Sequence, residues 1–294
     1  MRSAIFSSKI RNMRQVLCST GAIIGKPNNR DYRLLEDFSA RILCDGFELL
    51  LYRSFYDEID ALKDWFSGRS LNIPVVHSEK SIGELISAGD ADIERANRLF
   101  EINCDVARSV GAGKIVLHLW SGQISDSNFQ SNLGAYKKVR EIAENYGLDL
   151  LIENVVCNIS SPMRHLCELR QEYSDVHFVF DTKMAAFHEE LDQLYDAEHS
   201  WLWKDGHIRH YHVNDYAGGF KDWANLRTLA VGKGRIDFDR FFDFLAGTSY
   251  DGDFTIESTA FGSDGSVDFD MLNGQITYIK NKIAEIESAG KSGG

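Results

Sequence analysis

Residues 148–181 have the sequence LDLLIENVVCNISSPMRHLCELRQEYSDVHFVFD, in which two short apolar runs flank a helical stretch. The runs 148–153 and 176–181 are each predicted to form a buried strand, because their apolar residues cluster over about five positions and polar sequence follows at once. Residues 163–173 between them are predicted to form a helix. A strand, a helix and a second strand in this order indicate parallel strands joined by a right-handed crossover.

The same alternation of strand-like and helix-like segments runs through the whole chain. The predicted strands cover residues 16–20, 47–52, 73–77, 114–119, 148–153, 176–181, 208–212 and 253–257. The predicted helices cover residues 32–44, 56–66, 91–110, 133–146, 163–173, 189–195, 238–246 and 271–288. Eight such units of roughly 35 residues each close naturally into a (β/α)8 barrel.

An open doubly wound sheet is the alternative fold for this alternation. A dinucleotide-binding sheet of that kind would carry G-x-G-x-x-G after its first strand, and this sequence has no such motif there. We therefore predict the α/β class and a TIM barrel as a single domain over residues 15–290. Residues 1–14 are predicted to be an N-terminal extension.

Composition and charge exclude several classes of partner. A net charge of −12 argues against a nucleic-acid surface, which needs clustered lysine and arginine. No apolar run approaches the roughly 18 residues that a membrane span needs. The chain has five cysteines without C-x-x-C spacing, which is typical of a reducing compartment. We expect a cytoplasmic protein that binds neither nucleic acid nor membrane. The sequence leaves open whether the protein forms a homo-oligomer.

Four of the predicted strands end in side chains that bind metals. These are Glu153, Asp181, His212 and Glu257. Carboxylate and imidazole ligands suit a hard or borderline divalent cation better than a thiolate metal. In a barrel the C-terminal ends of the strands converge on one pocket, so we predict that these four side chains form one metal site. Taken singly, each could instead be a helix cap or a rim salt bridge.

Other polar residues near strand ends are candidates for contact with a substrate. Lys183 lies two residues beyond Asp181, so strand alternation would turn it to the same side, where an ammonium could bind substrate or act as an acid–base group. A solvated loop lysine is the alternative. Further candidates for substrate binding are His77, His118, Trp120 and His188. For His77 and His118 the alternative is a contact that supports a metal ligand. Glu48 is interpreted as structural.

Six segments match a known family. They are GFEL at 46–49, IEN at 152–154, FDTK at 180–183, HVND at 212–215, GKGRID at 232–237 and YDGDFTIE at 250–257. On these residues the chain resembles the sugar phosphate isomerase/epimerase family of xylose isomerase-like barrels, a group that includes the endonuclease IV relatives. The resemblance covers nearly the whole chain after about residue 15.

The resemblance implies one divalent metal ion, of the Mn, Mg, Co or Zn type, held by Glu153, Asp181, His212 and Glu257. It also implies that the two glutamates remove and return a proton at the carbon beside a carbonyl. A metal on the carbonyl and hydroxyl oxygens would acidify that C–H bond, and two carboxylates could relay the proton between its faces. The expected function is a metal-dependent isomerase or epimerase that forms an enediolate from a sugar or related hydroxycarbonyl compound, and its partner is a small carbohydrate.

The chain departs from the family pattern at three places. Epimerases of this family carry a histidine where this chain has Met184 and an acidic residue where it has Ile159. Endonuclease IV needs further metal ligands where this chain has residues 226–229, LRTL, so a trinuclear zinc DNA-repair site is not expected. A metal-dependent lyase or dehydratase and a non-catalytic sugar-binding barrel remain as alternative functions.

Overall fold

The computed structural model describes residues 14–292, in which eight parallel strands close into a barrel. The strands are β1 (Val16–Ser19), β2 (Gly46–Leu50), β3 (Val75–His77), β4 (Lys114–Leu117), β5 (Asp149–Glu153), β6 (His177–Asp181), β7 (Ile208–His212) and β8 (Asp253–Ile256). Each strand pairs with the next in sequence, and β8 pairs with β1. The predicted single-domain TIM barrel is therefore confirmed.

Helices connect the strands on the outside of the barrel. Within the described residues they are α1 (Leu35–Ser39), α2 (Ile59–Ser67), α3 (Ser81–Ala88), α4 (Asp90–Ser109), α5 (Phe129–Asn145), α6 (Pro162–Glu172), α7 (Thr182–Phe187), α8 (Trp201–Lys204), α9 (Phe238–Ala246) and α10 (Phe269–Ser292). None of these helices is long and apolar enough to cross a membrane. The predicted extension, residues 1–14, lies outside the described residues except for Arg14.

The connection between β6 and β7 differs from its prediction. The helix predicted at 189–195 is only a 3-10 segment, Leu191–Tyr195, and it is preceded by Glu189 in the left-handed backbone region with φ 55°. Helix α7 instead starts directly at the end of β6. The Asp181 carboxylate accepts the backbone N–H of Met184 at 2.8 Å, and such an N-cap favours a helix immediately after the strand.

Side-chain alternation along the strands places apolar and polar layers inside the barrel. An inner apolar layer consists of Leu17, Val75, Val116, Leu151 and Val179. Successive side chains of a strand point to opposite faces, so the residue two positions later returns to the interior. This spacing brings His77, Glu153 and Asp181 into the next layer, toward the C-terminal ends of the strands. The intervening residues pack outward against the helices.

Candidate metal centre

The ends of four neighbouring strands bring potential metal ligands together. Glu153 ends β5, Asp181 ends β6, His212 ends β7 and Glu257 directly follows β8. One ligand atom from each of the four lies within 4.8 Å of those of the others. The first three side chains are buried, whereas the Glu257 side chain keeps 17% of its surface exposed. The cluster is therefore closed by the barrel below and accessible from the C-terminal face.

The orientation of His212 identifies the point at which a cation would bind. Its Nε2 donates to Glu48 Oε2 at 3.1 Å, and its Nδ1 lies 3.1 Å from Glu153 Oε1 and 3.4 Å from Glu257 Oε2. When Nε2 carries the proton of a neutral ring, Nδ1 presents a lone pair. A lone pair facing two carboxylate oxygens is stable only if a proton or a metal ion lies between them.

Charge balance in the cluster also fits a cation. Burial, together with the carboxylates of Glu153 and Glu257, raises the pKa of Asp181 to about 6 against the opposing ammonium of Lys183. The carboxylates around His212 outweigh its burial and hold its pKa well above the usual range. Buried carboxylates in excess of buried cations are typical of sites that bind divalent metal ions through oxygen and imidazole ligands.

Two asparagines fix the ligand carboxylates in position. Asn214 donates from Nδ2 to Asp181 Oδ2 at 2.7 Å and to Glu257 Oε2 at 2.9 Å, and its Oδ1 accepts the Glu257 backbone N–H. Asn154 accepts the Asp181 backbone N–H at 2.6 Å. A carboxylate has about four lone-pair sites, so Asp181 can accept from Asn214 and Met184 and still bind an ion.

Sequence reasoning did not identify these asparagines, nor did it give Glu48 a part in the site. Both asparagines stand within two residues of a strand-ending ligand, in IEN and HVND, which is the signal that could have found them. Glu48 lies in β2 and is completely buried inside the barrel, in contact with His212. Its contact partner belongs to a strand 164 residues away, and sequence alone does not provide that register.

The two strand-ending histidines on the other half of the barrel contact Glu153. His118 Nε2 lies 2.5 Å from Glu153 Oε2, and His77 Nε2 lies 3.3 Å from the same oxygen. Burial lowers the pKa of His118 to about 4, so this ring is neutral near pH 7. These three residues form a second group with ligand atoms within 4.8 Å of one another. Their predicted contact with substrate stays a prediction.

Trp120 and His188 each contact the backbone of the loop after β5. The Trp120 indole is completely buried and donates to the Val155 carbonyl at 2.9 Å. His188 is buried at the end of α7 and accepts the Cys157 backbone N–H at 2.9 Å on Nε2. Both side chains hold loop backbone in place here, and direct substrate binding by either one stays a prediction.

Lys183 lies in the first turn of α7 and not in an extended continuation of β6. The argument from strand alternation was therefore wrong, because the Asp181 cap starts a helix at this point. The alternative of a solvated loop lysine is also wrong, since the residue is only 7% exposed. Its Nζ donates to Thr228 Oγ1 at 2.9 Å, and the ammonium is near enough to Asp181 to influence its pKa.

The barrel is similar in fold to several solved structures, some of which are described as sugar epimerases. A structure described as L-ribulose 3-epimerase has a TM-score of 0.69 at 17% identity, covering 95% of this chain and 97% of the other. D-allulose 3-epimerase from Methylomonas sp., in complex with D-allulose, has a TM-score of 0.68 at 16% identity, covering 92% and 97%.

A third structure is described as IOLI protein with a binding zinc atom; it has a TM-score of 0.60 at 15% identity, covering 94% of this chain and 98% of the other. These likenesses show a shared fold.

Among curated proteins, no sequence matches this chain. The family described as xylose isomerase-like TIM barrel matches residues 37–271, which is most of the chain. The chain therefore belongs to the xylose isomerase-like TIM barrel family.

Proposed function

We propose that this protein is a divalent-metal-dependent isomerase or epimerase that acts on a sugar or a related hydroxycarbonyl compound. The observation that carries the proposal is the pair of glutamates that both approach one imidazole nitrogen. Glu153 Oε1 and Glu257 Oε2 lie 3.1 Å and 3.4 Å from His212 Nδ1; His212 and Glu153 are buried, and the Glu257 side chain keeps 17% of its surface exposed. The sugar epimerases that share the fold support the same class of reaction.

Glu153, Asp181, His212 and Glu257 would hold the metal ion, which is expected to be of the Mn, Mg, Co or Zn type. When bound, such an ion polarises a carbonyl and its neighbouring hydroxyl, and thereby acidifies the C–H bond beside the carbonyl. A solved structure of similar fold is described with a binding zinc atom, which supports a metal ion as cofactor of this protein.

The chain's own residues would carry the proton. One of Glu153 and Glu257 accepts the proton from the carbon beside the carbonyl, and a carboxylate returns it to give the isomer or epimer. A pair of carboxylates allows removal and return from different sides, which a single carboxylate does not. His77 Nε2 forms a hydrogen bond with Glu153 Oε2, and His118 Nε2 lies against the same oxygen. Lys183 would donate a hydrogen bond to a substrate oxygen.

A lyase or dehydratase is the second candidate, and the environment of Lys183 favours it. No carboxylate oxygen in the part of the chain that the structure describes is paired with its ammonium within 4.0 Å, and Nζ donates to the neutral Thr228 hydroxyl. An ammonium that is free of a carboxylate could protonate a leaving hydroxyl at the β carbon. This pathway uses the same proton abstraction and differs in the fate of the enediolate.

The experiment that tests the proposal combines metal analysis with product analysis. Chelated protein is reloaded with Mn²⁺, Mg²⁺, Co²⁺ or Zn²⁺, its metal content is measured, and a panel of ketoses and keto acids is followed by NMR. We expect about one ion per chain and an isomer or epimer only in the loaded protein. Loss of water with the same metal dependence would indicate the lyase.

The matched control for this experiment is a pair of glutamate substitutions. Glu257→Gln should lose both metal and activity, because it removes a charged ligand from the proposed site. Glu190→Gln should keep both, since the buried Glu190 carboxylate accepts the backbone N–H of Met163 outside the site. If Glu257→Gln retains the full metal content, the proposed ligand set is wrong.

A further inference from the structure

We infer that Glu48 is a positioning residue, which fixes the tautomer and orientation of His212 so that its Nδ1 faces the metal site. The inference rests on the proposed metal-dependent function. Glu48 lies in β2, across the barrel from β7, and its side chain is completely buried. Its register partner on β3 is Val75, a member of the inner apolar layer, whereas His77 lies one layer nearer the C-terminal face.

The contacts of Glu48 determine which atom of His212 carries the proton. Both carboxylate oxygens of Glu48 lie 3.1 Å from His212 Nε2, and Oε2 also accepts the Thr255 hydroxyl at 2.9 Å. Thr255 in turn accepts from His210 Nε2 at 2.8 Å. A carboxylate can only accept, so the proton of a neutral His212 ring lies on Nε2 and the lone pair lies on Nδ1.

Burial of the Glu48 carboxylate costs free energy of folding, which is consistent with a role at the metal site. A buried carboxylate is destabilising unless hydrogen bonds and positive charge compensate it, and an apolar residue of similar size would fill the same space more stably. Here the compensation comes from His212, His210 and Thr255, and His212 is also a proposed ligand. A carboxylate on the far nitrogen of a ligating histidine fixes the ring and makes its other nitrogen a stronger donor.

The test measures metal affinity directly, without using catalysis. Metal-free protein is titrated with Co²⁺, and the dissociation constants of the wild type, Glu48→Gln and the control Glu190→Gln are compared. Loss of such a partner of a metal-binding histidine typically weakens affinity by about 10–100-fold. We expect Glu48→Gln to show that increase in dissociation constant, whereas Glu190→Gln matches the wild type.

A second pair of variants keeps the test informative if Glu48→Gln does not fold. Thr255→Val removes the hydroxyl that donates to Glu48, and Thr255→Ser retains it. We expect weaker Co²⁺ binding in Thr255→Val and recovery of wild-type binding in Thr255→Ser. A purely structural role would instead change the melting temperature of the metal-free protein and leave the dissociation constant unchanged.

The possible results separate the two proposals. If the wild type binds no Co²⁺, the proposed function fails and Glu48 has no ligand to position. If the wild type binds Co²⁺ and both Glu48→Gln and Thr255→Val bind it with the wild-type dissociation constant, only the inference about Glu48 is overturned.

Discussion

At the scale of single residues, the two ring nitrogens of His212 face different carboxylates inside the barrel. Its Nδ1 faces the carboxylates of Glu153 and Glu257, and its Nε2 faces Glu48. The first pair could be predicted, because each residue ends an apolar run and strand ends converge in a barrel. The contact with Glu48 could not be predicted, because it depends on the register between β2 and β7, which sets the residues that meet inside the barrel.

Lys183 gives the prediction that belongs to this scale. The substitution Lys183→Met removes the ammonium and keeps a long side chain of similar length in a buried position. If the ammonium hydrogen-bonds or protonates a substrate oxygen, turnover should fall by about 100-fold or more, while the metal dissociation constant changes little. Steady-state kinetics and a metal titration on the same preparation measure both quantities.

Lys138→Met is the control for this prediction, because Lys138 is an exposed lysine on α5 with 59% of its side chain accessible. That variant should retain wild-type turnover. An unchanged turnover in Lys183→Met would remove Lys183 from the proposed mechanism and leave it as a residue that binds the Thr228 loop.

At the scale of elements, side-chain contacts tie the loops at the C-terminal face to one another. The Asp126 carboxylate accepts the backbone N–H groups of Asn158, Ile159 and Ser160 and contacts His165 Nε2 at 3.0 Å. Lys221 donates from Nζ to the Asn158 carbonyl at 3.1 Å. These contacts join the loops after β4, β5 and β7. They could not be predicted, because each joins segments that local sequence patterns treat separately.

His188 links α7 to the loop after β5 and gives a prediction about pH. Burial and the nearby Lys221 ammonium lower the pKa of His188 to about 4, compared with 6.5 for an ordinary histidine. Between these values the unfolded chain binds a proton that the folded protein excludes, so stability falls as the pH is lowered from about 6.5 to about 4.

The substitution His188→Gln isolates the contribution of this histidine, because glutamine keeps an acceptor for the Cys157 N–H but does not titrate. As the pH is lowered over that range, we expect the melting temperature of the metal-free variant to fall less steeply than that of the metal-free wild type. Thermal unfolding at several pH values in the presence of a chelator measures the difference. Equal slopes for the two proteins would show that His188 does not contribute to the acid sensitivity.

At the scale of the whole molecule, the barrel is the feature that the sequence predicts best. Eight apolar runs, each buried on both faces, alternate with helical segments, and few folds other than a closed parallel barrel use that pattern. At residues 182–195 the predicted helix was misplaced, because Asp181 both ends a strand and caps a helix, whereas the sequence pattern suggested only the first role.

The central claim is that this barrel uses a metal ion and two glutamates to move a proton on a sugar carbon. Its most direct test is incorporation of solvent deuterium. The metal-loaded protein is incubated in D₂O with a panel of ketoses and hydroxy-keto acids, and the C–H bond beside each carbonyl is followed by NMR. Glu153→Gln and Glu257→Gln are followed in parallel, with metal content measured for every sample.

With the metal-loaded wild type, we expect deuterium to be incorporated at that carbon in at least one compound. We expect no incorporation with the chelated protein or with either variant. This result would hold for an isomerase, an epimerase or a lyase that forms the same enediolate. No exchange in any compound of a broad panel, with the metal site shown to be occupied, would contradict the claim and favour a sugar-binding barrel that does not catalyse proton transfer.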